Sequence, residues 1–283
     1  MNETIFDKLN DSVVQNLSER PEAFKDTRFL KMSADPASSA VQADFCNRTP
    51  IIQALPPQVV AALNLGLLAE YLETEFYSTA LNTPNLVPSD LRMVFTRILL
   101  NEVGHREILL TVLGNNAITK PVFDFTAGGL VPDVFTNFAS FLALSQAFED
   151  QGVRALKGQA PNVQVDDFAL TTALRFHSVE ARHASEVRRI RGQKPYITLN
   201  DRGGLPAFAQ GIYNGEELTT QAGIDLVALT GLSAATVSEA FDEPLTADQV
   251  LRNVQPFIRN RPLRGRRGIF DQNKDDGAPD NKK

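Results

Sequence analysis

The sequence predicts an all-α fold: a four-helix bundle with one long crossover connection and irregular N- and C-terminal extensions. Three observations predict this fold. Four segments repeat apolar residues at alternating intervals of three and four, the spacing that lines one face of an α-helix. Turn-forming residues separate the segments. The link between the second and third segments is much longer than the other two links.

The first two helices are expected at about 58–82 and 89–113. The inward face of the first comprises Val60, Leu63, Leu67, Glu70, Thr74, Tyr77 and Leu81. That of the second comprises Leu91, Phe95, Ile98, Glu102, His105, Leu109 and Val112. Pro84 and Pro88 separate the two helices, because proline is better accepted at the start of a helix than inside one.

The last two helices of the bundle are expected at about 132–157 and 165–191. The inward face of the third comprises Phe135, Phe138, Leu142, Ser145, Glu149, Gly152 and Leu156. That of the fourth comprises Ala169, Ala173, Phe176, Glu180, His183, Val187 and Ile190. The stretch from Gly158 to Pro161 should break the third helix, and Gly192 and Pro195 should end the fourth.

The long link, residues 117–132, has no helical period and is rich in Pro, Gly, Asp and Phe. As an extended chain its sixteen residues reach about 53 Å, at roughly 3.3 Å per residue. A helix of about 25 residues is only about 37 Å long. The link can therefore run the length of the bundle, which gives a topology with a single crossover.

The regions outside the bundle complete the expected organisation. We expect an N-terminal extension at 1–50, the bundle at 51–193 and a C-terminal extension at 194–258 with one short helix around Thr246 to Val254. An arginine-rich stretch followed by polar, largely acidic residues predicts a disordered tail at 259–283.

Composition excludes several classes of protein. Lys and Arg number 28 against 34 for Asp and Glu, a net charge of −6 that argues against a general nucleic-acid binder. No apolar run is long enough to predict a membrane span. A single cysteine, Cys46, cannot form an internal disulfide or a four-thiolate zinc site. The start lacks the features of a signal peptide, so we expect either a cytoplasmic protein or the mature form of an exported one.

Two Glu-x-x-His pairs carry the chemistry. Glu102 with His105, and Glu180 with His183, are each three residues apart, so both side chains point to one side of a helix and can hold one metal ion together. Glu70 and Glu149 lie on the inward faces of the other two helices. Glu70 precedes Glu102 by 32 residues and Glu149 precedes Glu180 by 31, as if one helix-pair unit were used twice.

Four buried carboxylates without countercharges would destabilise the fold strongly. Two divalent cations supply four positive charges against four negative ones, so the acids are a reason to expect metal. Carboxylate and imidazole ligands with open positions suit Fe or Mn, and the sequence does not choose between these two. The six predicted metal ligands are Glu70, Glu102, His105, Glu149, Glu180 and His183.

Three further residues are candidates for supporting the ligands. Glu73 lies one turn from Glu70 and is its rival. Tyr77 could hydrogen-bond a ligand carboxylate across the bundle, although packing in the core is an alternative role. His177, one turn before Glu180, could be an outer-shell group, an occasional ligand or a histidine at a helix boundary.

Each of three residues near Glu149, namely Gln146, Asp150 and Gly152, has two possible roles. Gln146 and Asp150 could orient a ligand or face solvent. Gly152 could leave room for a small molecule or only permit close helix packing.

The set Glu, Glu-x-x-His, Glu, Glu-x-x-His across four helices resembles the ferritin-like dimetal carboxylate superfamily. Residues 68–77, LAEYLETEFY, look like the ferritin-like domain family that includes plant and bacterial desiccation-related proteins. Residues 213–217, YNGEE, and 240–246, AFDEPLT, look like the C-terminal part of bacterial members. The resemblance covers about 50–258 and implies a dimetal centre.

We therefore expect a protein that binds two Fe or two Mn ions and performs redox chemistry on O2 or H2O2 in stress protection. Ferroxidase, peroxidase and catalase-like activities all fit, and no catalytic residue is assigned beyond the ligands. The alternative is a non-enzymatic protein for metal storage or desiccation stress. The expected partners are metal ions, a small-molecule oxidant and further copies of the chain in a homo-oligomer.

Overall fold

The computed structural model describes residues 55–259, and those from Pro56 onward lie in one compact unit. The extension expected at 1–50 and all but the first residue of the tail expected at 259–283 lie outside the described residues. Four long helices form the bundle and confirm the all-α prediction. They are α1 Pro57–Asn82, α2 Arg92–Leu113, α3 Phe138–Val163 and α4 Asp167–Ile190.

Smaller elements follow the bundle or lie in the crossover link. The short helices are α5 Gln210–Tyr213, α6 Leu226–Thr230, α7 Ala234–Ser238 and α8 Ala247–Val254. The 3-10 turns are Gly114–Asn116, Ala207–Ala209 and Gln255–Phe257. The strands are β1 Val122–Phe123, β2 Thr220–Gln221, β3 Ile224–Asp225 and β4 Ile258–Arg259. Strand β1 pairs antiparallel with β4, and β2 pairs antiparallel with β3.

Helix α1 packs along α2 and α3 along α4, and α1 also packs against α3. An aromatic cluster fills one end of the bundle. Phe76 of α1 stacks on Phe141 of α3 with ring centroids 5.1 Å apart, and Phe95 of α2 meets the same ring edge-on at 5.0 Å. These three rings are fully buried, which fixes three of the four helices at this end.

The prediction for the third helix was wrong at both ends. Helix α3 begins at Phe138 rather than near 132, because the Asn137 side chain accepts a hydrogen bond from the Ala139 N–H and caps the helix there. It continues to Val163, with Pro161 inside its last turn. Gly158 does not break the helix. A Cβ at this position would lie 1.9 Å from the carbonyl oxygen of Leu245, so glycine permits a close backbone contact.

The second helix also starts three residues later than expected. The Leu91 and Arg92 N–H groups both bond the Pro88 carbonyl in a turn that precedes α2. Helix α4 begins at Asp167, after Asp166, whose side chain accepts from the Ala169 N–H at 2.8 Å.

The segment after α4 returns along the bundle. The Leu245 N–H donates to the Arg154 carbonyl of α3 at 3.0 Å, and Leu245 packs in a cluster with Leu65 and Ala155. Helix α8 lies where a short helix was expected, and a capping box between Thr246 and Gln249 closes its start. Throughout residues 55–259, each helix is either too short or too polar to cross a lipid bilayer.

Candidate metal centre

Each long helix contributes one of the four predicted glutamate ligands to a buried cluster in the middle of the bundle. All four glutamates are at most 3% exposed, and the two histidines of the Glu-x-x-His pairs are each 6% exposed. The structure thus brings the six predicted ligands together. They are Glu70 from α1, Glu102 and His105 from α2, Glu149 from α3, and Glu180 and His183 from α4.

Three carboxylates surround the Nδ1 atom of His105. Glu180 Oε1 lies 3.0 Å away, Glu102 Oε2 3.2 Å and Glu70 Oε2 3.6 Å. One ligand atom from each of these four residues lies within 4.8 Å of the others, a spacing at which one metal ion can contact all of them.

A second group of the same kind surrounds His183. Its Nδ1 atom lies 2.7 Å from Glu102 Oε1, 3.4 Å from Glu149 Oε2 and 3.8 Å from Glu180 Oε2. Glu102 and Glu180 belong to both groups and turn one oxygen toward each histidine. Both carboxylates therefore lie between the two groups.

Several polar atoms of the cluster are buried without a hydrogen-bond partner among residues 55–259. They are Glu70 Oε2, Glu102 Oε1, Glu149 Oε2, both Glu180 carboxylate oxygens and His183 Nδ1. Buried polar atoms in native proteins are nearly always satisfied, so a group of orphans at one place requires an explanation. All of these atoms can donate an electron pair to a cation, so the residues present fit a pair of divalent metal ions.

In the metal-free protein, the burial of the glutamates and the contacts between acids and histidines favour the protonated forms of several of these side chains. Burial raises the pKa of Glu149 to about 8 and holds the pKa of Glu70 well above its ordinary value. Burial would lower the pKa of His105, but its contacts with Glu102, Glu180 and Glu70 outweigh burial and raise it to about 12. The pKa of His183 is raised for the same reason.

Glu180 behaves differently from the other acids. Burial raises its pKa, but the contacts with His105 and His183 outweigh burial and lower the pKa to about 2. Glu180 therefore stays charged at neutral pH.

Two neighbours orient the ligands. The Tyr77 hydroxyl donates a hydrogen bond to Glu149 Oε1. The Nε2–H of His183 donates to Asn101 Oδ1 at 3.0 Å, which fixes the ring with Nδ1 turned toward the carboxylates. The sequence analysis missed Asn101, because it lies beside Glu102 on the helix but outside the apolar face.

Glu73 and His177 lie close to the centre but outside both ligand groups. Glu73 is buried, and burial together with the charges of Glu180 and Glu149 holds its pKa well above the ordinary value. His177 lies well inside α4, so its interpretation as a helix-boundary residue was wrong. It is half-buried, and burial lowers its pKa.

The residues flanking Glu149 take two different roles. Asp150 and Gln146 are buried rather than solvated. Asp150 binds the Arg188 guanidinium with two hydrogen bonds, of 2.9 and 2.6 Å, and Gln146 Nε2 donates to Tyr213. At Gly152, a Cβ would lie 3.5 Å from a carboxylate oxygen of both Glu73 and Glu180.

Four long helices, a single crossover and a buried cluster of glutamates and histidines define a ferritin-like bundle with a candidate metal centre. A family model described as "Ferritin-like domain" matches residues 58–193, which span all four helices. Residues 58–193 therefore form a ferritin-like domain. A comparison with curated proteins gave no match.

Proposed function

We propose that the chain binds two divalent transition-metal ions, Fe or Mn, and uses them for redox chemistry on a small oxidant. One observation carries this proposal: each of two imidazole nitrogens faces three carboxylates, and Glu102 and Glu180 are shared between the two groups. Sharing of this kind suits a pair of adjacent ions better than two independent ions.

The charge balance supports two cations rather than one. Five carboxylates are buried here, those of Glu70, Glu73, Glu102, Glu149 and Glu180. Two imidazoles, even when both are protonated, balance only two of them. An unbalanced buried anion has a desolvation penalty of several kcal/mol, so further positive charge stabilises this core. Two divalent ions supply four charges and displace the imidazole protons.

Each side chain then has a defined task. Glu70 and His105 would hold one ion, Glu149 and His183 would hold the other, and the two shared glutamates, Glu102 and Glu180, would contact both. Tyr77 and Asn101 keep Glu149 and His183 in position through hydrogen bonds. When bound, such ions supply one-electron chemistry and open coordination positions, since each has four protein donors and Fe or Mn accepts up to six.

Elemental analysis tests the metal centre. We expect about two equivalents of Fe or Mn per chain in the native protein. Glu102→Gln keeps the shape of the side chain but removes the shared carboxylate, so both equivalents should be lost. Glu107→Gln, on the exposed surface of the same helix, is the matched control and should keep both. Equal metal content in the two variants would refute the assignment.

Turnover assays test the redox part of the proposal. Metal-loaded protein should oxidise Fe(II) with O2 or consume H2O2, and Glu102→Gln should do neither. If two ions bind but neither reaction occurs, the chain is a metal-binding or storage protein and the redox function is wrong. The stability of the fold in both variants should be checked by thermal unfolding.

A further inference from the structure

An apolar cavity of about 40 Å³ lies directly beside the candidate metal centre. Residues of all four long helices line it, and we call it the inner cavity. Its walls are formed by small or apolar residues, among them Ala62, Gly66, Ala69, Ala155 and Phe176. At one end it is lined by the carboxylates of Glu70, Glu73 and Glu180.

Glu180 connects the inner cavity with the candidate metal centre. Its side chain lines the cavity and is 2% exposed, and its Oε1 atom lies 3.0 Å from His105 Nδ1. Gly152 also lines the cavity and adds no side chain to it; a Cβ at this position would lie in van der Waals contact with Glu180 Oε2, at 3.5 Å. A molecule in the inner cavity would therefore lie next to a residue of the metal centre.

A second, wider pocket of about 260 Å³ lies between α3, α4 and the segment that follows α7. We call it the outer pocket. Lys157, His177, Phe241 and Asp242 line it and give it a mixed, partly polar surface. The Lys157 ammonium donates a hydrogen bond to the Asp242 carbonyl, which ties the later segment to α3.

The inner cavity and the outer pocket share two lining residues, Leu156 and Ala173. These two side chains form a common wall between the outer pocket, which is more open to solvent, and the inner cavity, which is lined by glutamates of the metal centre. Leu156 has rotatable side-chain bonds and Ala173 is small, so the wall can open through a rotamer change of a single leucine. Both residues are half-buried.

We propose that the inner cavity is a binding site for a small uncharged apolar molecule, which enters from the outer pocket past Leu156 and Ala173. A single water needs about 10–15 Å³ of such space, so there is room for a molecule of about two to four non-hydrogen atoms. Ions and strongly hydrogen-bonding molecules would lose their water along the apolar walls without compensation. The chemistry of the walls therefore selects a molecule such as O2 over H2O2.

The identity of this molecule as an oxidant rests on the proposed function, whereas the binding site itself does not. Xenon is a suitable probe, because apolar protein cavities of this kind bind it and it needs no metal. Crystals of metal-free protein under xenon pressure should show xenon between Ala69, Ala155 and Phe176. Its absence from the inner cavity would overturn the proposal.

Three variants test the entry route by xenon exchange NMR on metal-free protein. Ala173→Leu thickens the common wall and should slow exchange about tenfold, because a close-packed interior leaves no other space for the added atoms. Leu156→Ala thins the wall and should speed exchange. Ala181→Leu is the matched control: the same change at a half-buried position of α4 that lines neither space.

The control should exchange xenon at the wild-type rate. Equal exchange rates in Ala173→Leu and Ala181→Leu would refute the route. Faster exchange in Leu156→Ala together with slower exchange in Ala173→Leu would show that the wall controls entry, since misfolding would not change the two rates in opposite directions. With metal loaded, Ala173→Leu should keep its ion content but react more slowly with O2 than with H2O2, relative to wild type. Xenon binding without any metal uptake would leave the cavity assignment intact and refute only the proposed function.

Discussion

Two buried polar clusters include neighbouring residues of α3, and their buried carboxylates are balanced in different ways. Glu149 faces the candidate metal centre, whereas Asp150 and Arg154 belong to what we call the arginine network. This network consists of Asp150, Arg154, Arg188, Tyr213 and Glu216, all at most 4% exposed. Arg154 Nε lies 2.6 Å from Glu216 Oε1, and the Tyr213 hydroxyl donates to Asp150 at 2.6 Å.

The two clusters differ in the source of the positive charge that balances their carboxylates. In the arginine network two guanidinium groups match two carboxylates, and Arg154 also donates to the Glu243 and Asn214 carbonyls at 2.7 and 3.0 Å. In the metal centre five carboxylates face two imidazoles, and six polar atoms have no partner within residues 55–259. Buried charged groups by themselves therefore do not indicate a metal site. An excess of buried carboxylates over buried cationic side chains does indicate one.

The largest effect is expected from unbalancing the arginine network. Arg154→Met leaves Glu216 buried without its cation, which should lower the free energy of unfolding by about 3–5 kcal/mol. Urea denaturation measures this. Arg175→Met, at an exposed position of α4, should change it by less than about 0.5 kcal/mol. Replacing Arg154 and Glu216 together by apolar residues should recover much of the loss, and an equally severe double variant would contradict the charge argument.

Adding metal should balance the other cluster. At 100 to 1,000 times the dissociation constant, binding should raise the free energy of unfolding by about 2.7–4.1 kcal/mol for each independent site. Denaturation with and without Mn(II) measures the gain. Glu102→Gln should lose it, while Arg175→Met should keep it. Stabilisation of Glu102→Gln by the same amount would show that metal acts elsewhere.

The pH dependence of metal binding sharpens the comparison further. The raised pKa values of His105, about 12, and of His183 mean that both imidazoles are protonated between pH 6 and 8 in the metal-free protein. Each must release a proton before Nδ1 can bind an ion, so metal binding strengthens as pH rises. The product of the two binding constants should increase at least about 100-fold per pH unit, or about 2.7 kcal/mol, because Glu70 and Glu149 also release protons where their raised pKa values keep them protonated.

Calorimetry in buffers of different ionisation enthalpy should record at least about two protons released per chain. The proton-bearing imidazoles also stabilise the metal-free protein; this contribution is fully present below the unfolded-state pKa of about 6.5 and is lost as pH rises from there through the folded-state pKa values. Metal affinity that stays constant from pH 6 to 8 would contradict the assigned protonation.

The smallest effect is expected from a group that only orients a ligand. Asn101→Ala removes the acceptor for the His183 Nε2–H, which should weaken metal binding about 10- to 100-fold. Asn82→Ala, at the exposed end of α1, is the control and should leave affinity unchanged. Titration with Mn(II) measures both. An Asn101→Ala protein with wild-type affinity would show that the bundle alone fixes the imidazole.

The features that the sequence predicts correctly are those encoded by the spacing of residues within a single segment. Four helices and two Glu-x-x-His pairs follow from periodicity within single segments, which is why the glutamates and histidines could be assigned to one cluster before the structure. The start of α3 could not, because Phe135 continues the apolar period although Asn137 caps the helix after it.

The arginine network has no local signal. Arg154 meets groups that lie about sixty residues later in the chain, and Arg188 could be read as a cation at a helix end although it is buried against Asp150. The inner cavity is also unpredictable from periodicity, because Ala and Gly on an apolar face indicate close packing and an open space equally well.

The close backbone contact between Gly158 and Leu245 has a consequence for how the molecule can be divided. The family match ends at residue 193, yet α3 presents Arg154 and a side-chain-free position to the strand of chain around Leu245. Strand β4 likewise pairs with the crossover link. We therefore expect the smallest piece that folds independently to extend beyond residues 58–193. A bundle cut at that point would expose the buried Arg154 guanidinium and the backbone around Gly158 to water.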